Sequence, residues 1–137
     1  MRAAAATCLA GLALAGCGGG DDAPGRVAKD AQRAGETVQR LERAIARRDF
    51  ATVCRRLFTP ALRDRLGGGR CPQMLRESAR GIERPRIRVE SISLQGSRAE
   101  VRVVTSSARQ SPARDVIVLI ERRGRYRVDG LGASGER

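Results

Sequence analysis

The chain of 137 residues contains no histidine and no tryptophan, and its aromatic content is only 2%, confined to Phe50, Phe58 and Tyr126. Without imidazole, Ser-His-Asp and Cys-His catalysis and every histidine-containing zinc site are excluded. With so few rings, a core has to be assembled from Leu, Val, Ile and Ala. Lysine is scarce as well: Lys29 is the single one, so the formal net charge of +12 is carried by arginine. Such a surface attracts anions. The lack of an aromatic stacking platform argues against nucleic acid as the partner. No residues at metal-ligand spacing are present, and no cofactor is expected.

What is present starts at the N-terminus, where Arg2 precedes an apolar run from Ala3 to Leu14 interrupted by Thr7 and Cys8. A permanent membrane span needs roughly 18 or more apolar residues, so this shorter run reads as a secretory signal. It leads into Leu14-Ala15-Gly16-Cys17, the order of a lipobox: small residues admit a peptidase, and the Cys17 thiol accepts a diacylglycerol. Each buried methylene contributes about 0.8 kcal/mol, so the two or three acyl chains of a lipoprotein anchor firmly where one binds reversibly. The Gly18 to Gly25 stretch has nothing to bury and resembles a tether. The sequence therefore predicts a signal peptide over residues 1–16, lipidated Cys17 and a flexible tether over 17–26, and one folded domain over 27–137. The expected protein is exported and held by palmitate-type lipid on the outer face of the cell membrane.

Within the domain, Val27, Ala31, Ala34, Val38, Leu41 and Ile45 recur in steps of four and three, one apolar stripe of a helix. Gly35 costs about 1 kcal/mol relative to Ala, which places the well-formed part from Glu36 onward. Asp49 is an N-cap for a second helix carrying Phe50, Val53, Cys54, Leu57 and Phe58. Thr59-Pro60 starts another short helix, Gly67-Gly68-Gly69 ends it, and Cys71-Pro72 opens one more with Met74, Leu75, Ala79 and Ile82 inward. Beyond Pro85 the apolar period falls to two. Ile87 and Val89 are out of phase with Ile92 and Leu94, so a bulge is expected near Glu90-Ser91. Ala99 to Thr105 alternates cleanly, Ser106 to Pro112 reads as a polar loop, Val116 to Ile120 as a central strand, and Tyr126, Val128 and Leu131 as the last strand.

A helix ending in Ala-Arg-Arg-Asp-Phe, then Ala-Thr-Val-Cys-Arg-Arg-Leu-Phe-Thr-Pro-Ala-Leu, a second cysteine, and strands closing with Gly124-Arg125-Tyr126-Arg127-Val128-Asp129 resemble small lipoproteins of high-GC bacteria in the NTF2-like (SnoaL-like, cystatin-like) superfamily. The resemblance covers about Glu36 to Leu131. It implies an α+β fold in which N-terminal helices pack on a curved antiparallel four-stranded sheet and enclose an apolar cone. Leu41, Ile45, Phe50, Phe58, Val101, Val103 and Tyr126 are the candidate pocket lining.

Cys54 and Cys71 are expected to form a disulfide, because reducing systems are weak outside the membrane. Asp64, Glu77, Glu83, Glu90 and Asp129 are the acid and base candidates, each with arginine neighbours in sequence. Arg86 and Arg88, with Arg98 and Arg102 on the next strand, are a candidate basic stripe. These features point to a non-catalytic module that binds a small apolar ligand or an envelope protein. The alternatives are a SnoaL or ketosteroid-isomerase type enzyme, which needs an acid inside the pocket, and an electrostatic binder of anionic lipid or envelope polymers.

Overall fold

The structure, a computed structural model, describes residues 23–133. Residues 1–16, expected to be a signal peptide, Cys17 and most of the expected tether lie outside the described residues.

Helix α1 spans Ala23–Ala46, so Ala23 to Arg26, assigned to the tether from sequence, are helical. Pro24 sits in the first turn, where its missing N–H leaves no hydrogen bond unmade. Gly35 does not interrupt the helix. Its neighbours Ala34 and Val38 are fully buried against the sheet, and a Cβ at Gly35 itself would lie 3.8 Å from Ile92 Cδ1. Burial on both sides of the glycine outweighs its intrinsic cost. Thr37, also fully buried, donates to the Arg33 carbonyl at 3.0 Å and accepts from Arg40 at 3.2 Å, which removes the penalty of a lone buried hydroxyl.

The segment expected to be one helix after Asp49 is a composite. Asp49 caps α2 (Phe50–Thr52) by accepting from the Thr52 amide at 3.1 Å, and hydrogen bonds from Thr52 hold its carboxyl below the ordinary carboxylate range. The chain then widens into a π-helical turn over Val53–Leu57, closed by Phe58 N–H donating to the Val53 carbonyl at 2.9 Å. Phe50, Val53, Cys54 and Leu57 are all buried in the core, the i, i+3, i+4, i+7 set of one helical face.

Thr59 fastens this layer to the sheet. Its Oγ1 accepts from the Leu62 amide at 3.1 Å to cap α3 (Pro60–Arg65) and donates to Asp129 Oδ1 at 2.6 Å, while its amide donates to the Val128 carbonyl at 2.8 Å. Phe58 forms a parallel bridge with Val128 beside it. A short 3-10 turn (Gly68–Arg70), entered through Gly67 at φ 93°, leads to α4 (Cys71–Ser78). Met74, expected to face inward, is 41% exposed, because it lies over Gly67, where a Cβ would come within 2.8 Å of its sulfur. Cys54 and Cys71 are joined in a disulfide with Cα atoms 6.1 Å apart, linking the π-helical turn to the start of α4.

Four strands, β1 (Arg86–Gln95), β2 (Arg98–Ser107), β3 (Gln110–Arg122) and β4 (Arg125–Ala133), form an antiparallel meander in the order β1-β2-β3-β4. The register shifts between Val89 and Ser91, the bulge that the phase change in the sequence required. Further shifts at Thr105/Ser107 and Val118/Leu119 add curvature. The Ser106 to Pro112 stretch is not a loop: the β2–β3 hairpin continues through it, with Ser107 opposite Gln110. Pro112 falls at the register shift between Thr105 and Ser107, where it has no paired partner in β2, and β4 pairs with β3 only from Asp115 onward. The β3–β4 turn places Arg123 and Gly124 at φ 53° and 76°, the left-handed pair that a tight hairpin demands.

Ala99, Val101 and Val103 of β2 and Ile117 and Leu119 of β3 face the helices and are buried. They meet Val38, Leu41, Phe58, Tyr126 and Val128 in one core. The result is the helix-on-sheet α+β arrangement expected from the resemblance.

Candidate functional site

Of the concavities among the described residues, two that adjoin the core differ in chemistry. The first, about 460 Å³, opens where the helices diverge from the sheet. Leu41 and Ile45 of α1, Phe50 and Phe58 on either side of the π-helical turn, and Leu75 and Ala79 from the α4 region form its helical wall. Ile87, Ile117 and Leu131 form the sheet wall, and Leu131, 53% exposed, stands at the mouth. Against this apolar lining sits one polar pair: Thr105 Oγ1 donates to Asp115 Oδ2 at 2.6 Å. Ser78, at the end of α4, is the remaining hydroxyl in the wall. An apolar body can fill the cavity while one donor group of the same molecule meets the Asp115 carboxyl.

The second concavity, about 780 Å³, is a groove between α1, the π-helical turn and the edge strand β4. Arg33, Arg40 and Arg43 of α1, with Arg47 just beyond its end, follow one another along one face of the helix. Arg56 comes from the π-helical turn, and Arg125 and Arg127 come from β4. Glu36 is the one acidic residue among the lining side chains. Tyr126, 4% exposed, forms part of the floor. Burial raises its hydroxyl above the ordinary phenol range, the carboxylate of Asp30 adds to this, and Arg33 opposes it. It is therefore a neutral hydroxyl donor at physiological pH.

Of the pocket residues proposed from sequence, Leu41, Ile45, Phe50 and Phe58 come together in the apolar cavity. Val101 and Val103 do not: both are completely buried at the centre of the sheet, under α1, and line neither concavity. Tyr126 lines the arginine groove instead. Arg86, Arg88, Arg98 and Arg102 share the outer face of the sheet, but carboxylates interrupt them. Glu90 lies 3.7 Å from Arg88, and Glu100 lies 3.1 Å from Arg98. Cys17 lies outside the described residues.

None of the acids singled out from sequence lines the apolar cavity. Asp64, Glu77 and Glu83 are exposed beside Arg63, Gln73 and Arg109. Glu90 occupies the bulge, and Asp129 is taken up by Thr59. The acid that does line the cavity is Asp115, which is absent from the candidates drawn from sequence. Its signal lies in the alternation, since Asp115 is in phase with the inward Ile117 and Leu119.

Helices closed over a curved antiparallel sheet, with a cavity at the open end, define the class of this protein as a helix-on-sheet cone. Among solved structures, a de novo designed NTF2 fold protein, NT-9, is similar at a TM-score of 0.45 and 14% identity, over 75% of this chain and 83% of that one. No protein-family model matches the sequence, and no curated protein matches it.

Proposed function

We propose that the domain is a non-catalytic binding module for a small apolar molecule, displayed at the outer face of the membrane by lipid on Cys17. The observation that supports ligand binding is the cavity of about 460 Å³, apolar except for Thr105, Asp115 and Ser78. A cavity of this size lined by aliphatic and phenyl groups gains from displacing water with an apolar body, and one fixed carboxyl orients it. Acid-base turnover at neutral pH asks for a second positioned group beside Asp115, either a proton acceptor or a donor to the developing oxyanion. The cavity offers two hydroxyls, and that of Thr105 is already committed to Asp115. The presence of Asp115 does favour a second reading, an isomerase-type enzyme in which this carboxyl is the base. Its mark would be turnover of an apolar ketone that Asp115→Asn abolishes while ligand affinity is kept.

The binding test uses the uncharged dye N-phenyl-1-naphthylamine, which the arginine groove has no electrostatic reason to hold, and the full chain carrying Cys17→Ser. The dye is expected to brighten on binding. Ser78→Phe, a bulky substitution at an exposed rim position, is expected to abolish the signal without lowering the thermal midpoint. Unchanged dye binding in Ser78→Phe would remove the cavity as the site.

The anchor is tested separately. Expressed in a bacterial host, the native chain is expected to partition into the detergent phase of a Triton X-114 extraction and Cys17→Ala into the aqueous phase. Equal partitioning of the two would end the lipoprotein reading.

A further inference from the structure

The arginine groove shares no lining residue with the apolar cavity, so its role is independent of ligand binding there. We propose that the groove binds a linear chain of phosphate groups, of the polyphosphate or poly(phosphodiester) kind.

The first reason is uncompensated charge. Arg33 is committed to Asp30 and to the Gly124 carbonyl, and Arg40 donates to Thr37. Arg43, Arg47, Arg56, Arg125 and Arg127 have no ion-pair partner among the described residues. The nearby acid, Glu36, already accepts from Gln32 at 3.0 Å. A lysine cluster relieves its repulsion by shedding protons, but arginine does not lose its charge at any accessible pH. Mobile counter-ions screen these largely exposed groups, and a bound polyanion neutralises them more fully.

The second reason is shape. These cations stand on three different elements around one recess of about 780 Å³, so a single ion cannot satisfy them together, whereas a chain with charges at intervals can. Nucleic acid bases would need an exposed ring to stack on, and the ring in this groove, that of Tyr126, is only 4% exposed. Guanidinium groups match phosphate oxygens with paired donors, and the Tyr126 hydroxyl, which has no protein partner among the described residues, adds a neutral donor.

The test compares two variants that lose the same charge from different places: Arg47→Gln with Arg56→Gln in the groove, and Arg86→Gln with Arg88→Gln on the outer sheet face. All four positions are exposed. Long-chain inorganic polyphosphate and poly(glycerol phosphate) are titrated in separate arms against the full chain carrying Cys17→Ser. The groove variant is expected to bind at least one of them about tenfold or more weaker, with its log K against log[salt] slope reduced by roughly two, one for each phosphate contact removed. The sheet-face variant is expected to bind like the parent. Polyphosphate is also expected to raise the thermal midpoint of the parent more than that of the groove variant. Equal weakening of both variants would show attraction by net charge alone and overturn the proposal, as would no binding in either arm. Vesicles containing phosphatidylglycerol, or a single-stranded oligonucleotide, bound more tightly than both phosphate chains and lost in the groove variant would replace it with a membrane or nucleic acid site.

Discussion

Phe58→Ala is expected to lower the unfolding free energy by about 3–5 kcal/mol, the range for deleting a buried phenyl ring. Phe58 is 2% exposed and is one of the largest fully enclosed side chains in a core that contains no tryptophan. It also marks the point where the π-helical turn ends and the chain bridges to Val128, so the ring packs against both layers at once. A domain of this size has roughly 5–15 kcal/mol of stability in total, so the variant approaches its unfolding threshold. Urea titration followed by far-ultraviolet circular dichroism measures the loss. Val27→Ala, removing a side chain that is 52% exposed, is the control and is expected to stay within about 0.5 kcal/mol of the parent. A loss under about 1 kcal/mol for Phe58→Ala would mean that the adjoining cavity collapses onto the vacated space, and that the ring belongs to the pocket more than to the core.

Removing the Cys54–Cys71 bond by the double substitution Cys54→Ala, Cys71→Ala is expected to cost about 3 kcal/mol, the chain-entropy value for a loop of this length. The bond closes a segment with a sequence separation of 17, and that segment holds the π-helical turn, α3 and the glycine-rich 3-10 turn. These are short elements that would not persist alone, so the bond restricts the part of the chain with the least local order of its own. Both cysteines are at most 1% exposed. Dithiothreitol is therefore expected to shift the urea midpoint while leaving the native protein oxidised for longer at low urea. Identical midpoints for the oxidised and reduced forms would exclude a stabilising role. Because Cys54 and Phe58 belong to the same turn, the loss in the triple variant is expected to differ from the sum of the separate losses.

Much of the architecture could be read in the chain because the relevant signals are local. A stripe at steps of three and four makes α1, the phase slip between Val89 and Ile92 makes the bulge, and Thr59-Pro60 and Asp49 start their helices by the capping chemistry expected of them. Where sequence and structure differ, the causes are physical as well. Gly35 and Pro24 suggest a start for α1 that is too late, since helix propensity is a weak term beside the burial of Ala34 and Val38. The Ser106 to Pro112 stretch lacks apolar residues, but its backbone pairs across the hairpin, and pairing does not require an apolar face. The π-helical turn leaves no sign in the sequence because its register is set by Phe58 meeting Val128, 70 residues away.

The sites divide along the same line. Composition alone determined that imidazole chemistry is absent, that the positive charge is arginine, and that the core is aliphatic with few rings. Residue order added the Leu14 to Cys17 stretch, read as a lipobox, and the spacing of Cys54 and Cys71. Which residues meet around a cavity was decided by tertiary structure. Asp115 reaches Thr105 because two strands of a hairpin lie in register, Val101 and Val103 are sealed beneath α1 instead of facing a cavity, and Arg47 and Arg56 join Arg125 because the helical layer closes on a strand distant in sequence. Local patterns fix what a segment is and which of its faces is apolar. The neighbours of that face depend on how helix and sheet layers close on one another, and that closure is decided by packing over the whole core.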